Sequence, residues 1–219
     1  MAKESVAQRK KRVADVIKVL RKTFASATTA LQWSNPLELL VATILSAQCT
    51  DERVNKVTPA LFARYKSAAD YAVVPQETLA SEVRSTGFFN NKAKNIRGAC
   101  ARIAQEYGGN VPQTMDELLT LPGVARKTAN VVLGIAFGKC EGVVVDTHIT
   151  RVSQRLKLTA HEDNQGDRIE QDLQALVPRE EWTFFSSALV LHGRHVCMAR
   201  KPNCPGCGMN TFCPSAFKV

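Results

Sequence analysis

Leu118-Leu-Thr-Leu-Pro-Gly-Val-Ala-Arg-Lys-Thr-Ala-Asn-Val-Val-Leu-Gly-Ile-Ala-Phe137 is the stretch on which the fold of this 219-residue chain turns. A short helix is expected to stop at Leu121-Pro122-Gly123 and a second to begin near Ala125, because Pro and Gly permit a turn too tight for other residues. The first amides of the second helix have no partner inside it and sit at its positive dipole end. That combination binds a phosphate without reading a base. The plainer alternative is an ordinary connection between two helices. Lys127 shifts the balance, since a cation in a first turn faces the unfavourable end of the dipole. Val131, Val132, Leu133, Ile135, Ala136 and Phe137 leave little of this helix for solvent, so partial burial is expected as well. Both effects should lower the amine's pKa, and a neutral lysine is a nucleophile able to form a Schiff base. Simple pairing with a DNA phosphate is the bland alternative for Lys127.

The rest of the chain reads as helical too. Val13, Val16, Ile17 and Leu20 recur at helical spacing, and Asn35-Pro36 opens an apolar run over Leu39–Ala47. Asp51 is expected to cap a helix to about Tyr65. Further helical patterns cover Glu77–Ser85 and Asn91–Tyr107, the latter ended by Gly108-Gly109, and Thr114–Glu117 has the form of a capping box. Only Gly142–Val145 reads locally as strand, too short to build a sheet. The expectation is an all-α protein of about ten helices. Composition agrees: 45% hydrophobic and 22% charged residues describe a chain with a core, not a disordered one. No run of 18 apolar residues occurs and the first residues lack a signal-type apolar segment, so a soluble, intracellular protein is expected.

The net charge of +9 is unevenly spread: residues 1–22, with Lys3 among their bases, carry +6, residues 191–219 carry +4, and the middle carries −1. Basic ends around a neutral middle suggest a polyanionic partner, with solubility as the alternative. Asp146, in Val143-Val-Val-Asp-Thr-His-Ile149, is first of all a helix N-cap. A carboxylate near Lys127 also suits proton transfer and stabilisation of positive charge on a sugar. Four of seven cysteines gather as Cys197-x6-Cys204-x2-Cys207-x5-Cys213, which reads as metal before disulfide. The irregular spacing suits a [4Fe–4S] cluster at least as well as zinc, for which His192 and His195 are further ligands. Cys49, Cys100 and Cys140 are expected to be small buried hydrophobes.

Taken together, Leu121–Ala129, Val145–Ile149 and the four-cysteine pattern resemble the endonuclease III family of the helix-hairpin-helix glycosylase superfamily. Leu45-Ser-Ala-Gln-Cys-Thr-Asp51, Gly87-Phe-Phe-Asn-Asn-Lys-Ala93 and Leu191-His-Gly-Arg194 extend the resemblance over nearly the whole chain. It implies two helical domains with the active site in the cleft between them: residues 30–139 with the hairpin at about 114–137, and residues 1–29 plus 140–219 around a [4Fe–4S] cluster. It implies that Lys127 is the nucleophile, Asp146 its carboxylate partner, and Cys197, Cys204, Cys207 and Cys213 the ligands of a structural cluster. Gln48 matches a residue that fills the gap left by a flipped base, and Phe88 stands where relatives often carry a leucine wedge. Gly123, Ala125 and Arg126 of the hairpin, His148, Arg200 and Lys201 are the further DNA contacts implied.

Two departures stand out. The hairpin usually reads Gly-Val-Gly, and here the second glycine is Ala125, whose Cβ bears on the approach of a phosphate. Phe88 with Phe89 beside it bears on which lesion or opposite base is accepted. The function implied is removal of oxidised pyrimidines from duplex DNA by a monomer, followed by β-elimination at the abasic site, without membrane association. An adenine-type glycosylase shares the cysteines but lacks the lysine, typically carries a glutamate near Thr43 and adds a C-terminal domain. A non-catalytic DNA-binding module is the third reading.

Overall fold

The computed structural model describes residues 4–219, so Lys3 of the basic head lies outside the described residues. These form eleven α-helices and two 3₁₀ turns, with no strand among them. They divide into two compact units, Thr29–Glu141 and the described residues up to Thr28 together with Gly142–Val219.

The first unit is built on α2 (Pro36–Leu45), which starts where Asn35 accepts the Glu38 amide at 3.0 Å and Pro36 occupies the first turn. Seven of its ten residues are buried, and each leucine or isoleucine among them contributes about 1.5–3 kcal/mol by leaving water. Around it come α3 (Asp51–Arg64), α4 (Ala68–Val73), α5 (Gln76–Glu82), α6 (Phe89–Glu106), α7 (Met115–Leu119) and α8 (Arg126–Ala136). Helix α2 packs on α3, α6 and α8, while α6 receives α4 and α5. The 18-residue α6 presents Ala93, Ile96, Ala99, Cys100 and Ile103 to this core. It ends at Gly108 and Gly109, whose φ values of 58° and 83° suit glycine, with the Gly109 amide returning to Ile103 O at 3.0 Å.

The second unit packs α1 (Val6–Thr23) on α10 (Gly166–Leu176) and α11 (Trp182–His195), and α11 on α9 (Thr147–Arg155). Val13, Val16 and Leu20 of α1 are fully buried in its core with Ile149, Leu173, Phe185 and Leu189. The capping box of Ser5 and Gln8 starts α1. The 24 residues after α11 hold the four-cysteine pattern in turns without a helix.

Four expectations need correction. Gly142–Val145 is extended but pairs with no strand; the Val144 amide donates to Ser186 Oγ at 3.1 Å instead. β-Branched residues favour extended backbone, but a strand exists only with a neighbour. The cap of α3 is Thr50, one residue before Asp51. Thr114 caps α7, yet Glu117 accepts from the Thr114 hydroxyl rather than from its amide, so the reciprocal box is not formed. Cys100 is buried, whereas Cys49 and Cys140 are only half-buried. No described helix is long and apolar enough to cross a membrane.

Candidate active site

The turn between α7 and α8 is anchored by its apolar residues. Leu121 and Val124 are buried, and the Val124 amide closes on Leu121 O at 3.1 Å. Pro122 and Gly123 stay on the exposed rim. Gly123 has φ 76°, and a Cβ there would lie 2.6 Å from the side chain of Asn95 on α6. Gly98, one turn along α6, leaves room for Pro122, whose Cγ would sit 3.1 Å from a Cβ at that position. The turn therefore rests on α6 at two positions.

Ala125 is the N-cap of α8 and has φ −92° and ψ 169°, which any residue adopts, so the missing second glycine costs the turn no strain. It supplies no side-chain cap bond. Arg126 and Lys127 come next, in the first turn, and both are exposed. Partial burial of Lys127 is thus corrected: the apolar face of α8 runs through Ala129, Val132 and Leu133, and Lys127 lies off it. Thr128, next along, lines a groove of about 230 Å³ with Gly123, Asn95, Asn91, Lys92, Thr43, Ala47, Gln48 and Phe88. The structure thus brings Gln48, Phe88 and Gly123 to one groove, and does not include Ala125, Arg126 or Lys127 in its lining. Gln48 and Phe88 are both exposed and both left-handed, with φ 52° and 48°. Thr43 donates its hydroxyl to Leu39 O at 2.7 Å and presents no carboxylate to the groove.

In the other unit, Asp146 caps α9, accepting the Ile149 amide at 2.8 Å, and is half-buried. His148 is also half-buried, with Nδ1 3.2 Å from Arg151 Nη2. Burial, joined by the cations of Arg151 and Arg194 and opposed by Asp146, holds its pKa below the ordinary value. Arg151 continues to Gly193 O at 2.8 Å and to Cys197 O. Gly193 keeps α11 close to α9, since a Cβ there would stand 3.0 Å from that of His148.

Cys197, Cys204, Cys207 and Cys213 carry free thiols and line one cavity, together with His192, Arg155 and Met209. Arg155 fixes the first of them, donating to Cys197 Sγ at 3.2 Å, Met198 O at 2.8 Å and Ala199 O at 3.1 Å. The Met209 amide points at Cys207 Sγ at 3.4 Å. His192 is buried beside Cys207, with Nε2 3.8 Å from its sulfur, and packs edge-on against Phe24. His195 is exposed and does not line the cavity. Arg200 and Lys201 are exposed on the loop that Arg155 anchors, Lys201 with φ 53°. Sequence reasoning gave no role to Arg151, Arg155 or Asn95; the signal available was two arginines one turn apart on α9, a helix with an apolar face.

Among the described residues, α7, the turn at Gly123 and the uncapped start of α8 form a helix-hairpin-helix arrangement, and comparison with known proteins places the chain in that class. The sequence profile of the HhH-GPD superfamily base excision DNA repair proteins matches residues 41–179. Endonuclease III of Synechocystis sp. is 56% identical over 211 residues, spanning 96% of this chain and 95% of the relative. Two solved structures, a non-covalent endonuclease III–DNA complex and a trapped endonuclease III–DNA covalent intermediate, each superpose with a TM-score of 0.87. Each is 42% identical and covers 94% of this chain and 96% of its own. The chain belongs to the endonuclease III family of that superfamily.

Proposed function

We propose that this chain excises damaged, oxidised pyrimidines from duplex DNA and cuts the resulting abasic site, with Lys127 as nucleophile and Asp146 as its carboxylate partner. It is a base-excision repair glycosylase by family, and the observation that carries the residue-level reading is the exposed Lys127 in the first turn of an uncapped helix. The trapped endonuclease III–DNA covalent intermediate supports a nucleophile on the protein.

The damaged nucleotide leaves the stack, and Gln48 and Phe88 fill its place. Phosphates flanking it bind the amides at the start of α8, with Gly123, Ala125 and Arg126 lining the turn. The lone pair of Lys127 Nζ then bonds to C1′ while the bond from C1′ to the base breaks and the base departs with a proton. Asp146 stabilises positive charge on the sugar. The C1′–O4′ bond then breaks, O4′ taking up a proton, to leave a C1′=Nζ Schiff base, which acidifies the C2′ proton. Loss of that proton expels the 3′ phosphate, cutting the strand by β-elimination. His148 lies two residues from Asp146, and Arg200 and Lys201 contact the DNA backbone. The partner is double-stranded DNA, the protein acts as a monomer, and its place is the cytoplasm, with the nucleoid, if the source is bacterial, and otherwise an intracellular DNA-containing compartment.

A [4Fe–4S] cluster fits the donors present. Four free thiols surround one cavity, and Arg155 and the Met209 amide already point at two of the sulfurs. Cys197, Cys204, Cys207 and Cys213 would hold the cluster, which would cross-link a segment that has no helix of its own.

Arginine at position 127 keeps the charge but stays protonated. Lys127→Arg is therefore expected to bind damaged duplex and to lose excision by several powers of ten. Borohydride added during turnover should trap the wild type on DNA and fail to trap the variant. Trapping of both would assign the nucleophile to another amine.

A further inference from the structure

The apolar face of α6 contains one residue that does not belong there by chemistry. Lys92 is 4% exposed, in line with Ala93, Ile96 and Ile103. An ammonium is stable in such surroundings only when its protons are used. Lys92 Nζ donates to Leu45 O at 2.8 Å and to Thr86 O at 2.7 Å. Leu45 is the last residue of α2 and Thr86 the last of the 3₁₀ turn Arg84–Thr86. Both carbonyls end an element and lack partners inside it, and the Leu45 carbonyl also carries the negative end of the α2 dipole, so a lysine suits both.

Each of these carbonyls stands just ahead of a groove residue. Three residues beyond Leu45 is Gln48, and two beyond Thr86 is Phe88, both left-handed and both on the groove that Lys92 also lines. Non-glycine residues hold that conformation only where their surroundings dictate it. A single ammonium bonded to the roots of both segments is such a constraint. Phe88 is 63% exposed, so its position is not set by packing of its own ring.

We infer that Lys92 is a positioning residue that ties the Gln48 and Phe88 segments to one point, so that the two side chains enter the vacated base position at a fixed spacing. This rests on the reading that Gln48 and Phe88 fill that position. With its Nζ bonded to the Leu45 and Thr86 carbonyls, Lys92 acts through these two segments and not on the sugar or a phosphate.

The test uses the full chain as purified and single-turnover excision from a lesion-bearing duplex with 2-aminopurine opposite the lesion. Lys92→Met keeps the stem and removes the donors. It should slow excision about tenfold, change the 2-aminopurine signal in the direction expected of Gln48→Ala and Phe88→Ala, and speed exchange of the Cys49 and Gly87 amides, which close the two segments on Ser46 O and Arg84 O. The slope of log K against log salt should not change, because no phosphate contact is lost. In a Gln48→Ala/Phe88→Ala background the same replacement should alter the rate by less than about twofold. An equal loss in both backgrounds would mean that Lys92 acts independently of the pair and would overturn the inference. Should Lys92→Met not fold, Lys92→Gln, which keeps one donor, should give a smaller loss with the same dependence on background. If Gln48→Ala and Phe88→Ala leave rate and signal untouched, the gap-filling reading fails. If only Lys92→Met leaves them, and the exchange, untouched, that reading stands and the role of Lys92 falls.

Discussion

Gly123 and Ala125 stand two residues apart in one turn and answer to different constraints. Gly123 needs its lack of a side chain twice over, for φ 76° and for the 2.6 Å approach to Asn95. Gly123→Ala should lower stability by about 1–3 kcal/mol in a denaturant titration and weaken binding to any duplex. Ala125, with φ −92°, already has an unstrained backbone; Ala125→Gly should leave the fold intact and cost no more than about 1 kcal/mol. His148 yields a pH prediction. Its folded pKa is held below the ordinary 6.5, so the folded chain resists a proton that the unfolded chain accepts. Its contribution is complete above about pH 6.5 and is lost as pH falls towards the lowered value. Thermal melts of wild type and His148→Gln should therefore converge as pH falls through that window. A histidine's depressed pKa and the left-handed backbone of Gln48 and Phe88 depend on neighbours distant in sequence, so no local pattern announces them. The same holds for Lys92, which looks like any surface lysine until α2 and the 3₁₀ turn are folded against it.

Helix ends were the most readable elements because their signals are local. Asn35-Pro36, Asp146 and Gly108-Gly109 each stop or start a helix where their chemistry requires. The six-residue α4 escaped notice although Ser67 and Asp70 form a capping box, since so short a helix gives no periodicity to read. Gly142–Val145 misled for the opposite reason: strand propensity is local, but a strand is a pairing. Asp146 is the element on which capping and chemistry can be separated. Asn caps as well as Asp, so Asp146→Asn should keep stability within about 0.5 kcal/mol while slowing excision severely, with DNA binding retained. Asp146→Ala should in addition cost about 1 kcal/mol, seen in the unfolding midpoint. Equal excision by Asp146→Asn and wild type would leave Asp146 as a cap alone.

Over the whole chain, the excess of positive charge at the two ends is not equally available. In the head, Arg12 pairs with Glu4, Lys18 with Asp15, and Arg21 with Glu181 while lying over the Phe184 ring. Arg12 and Arg21 in particular therefore serve α1 and its packing, a use that a count of basic residues cannot distinguish from DNA binding. In the tail, Arg200 and Lys201 are exposed on the loop whose base Arg155 fixes. That the four cysteines gather was legible from spacing, and all four line one cavity; the arginine that orders their first member was not, because it comes from α9, more than forty residues earlier. Purified protein should be yellow-brown with about four irons per chain, and Cys207→Ser should lose the colour and lower the unfolding midpoint; stoichiometric zinc in colourless, active protein would refute the cluster. The loop supplies the last prediction. Neutralising Arg200 and Lys201 together should weaken binding to damaged and undamaged duplex alike, because phosphates carry no sequence information. The slope of log K against log salt should flatten by about 1.8, at about 0.9 for each phosphate contact. Excision at saturating DNA should persist, since neither side chain reaches the reacting carbon. An unchanged slope would remove both residues from the DNA backbone, and a loss confined to one lesion would make them readers of damage instead.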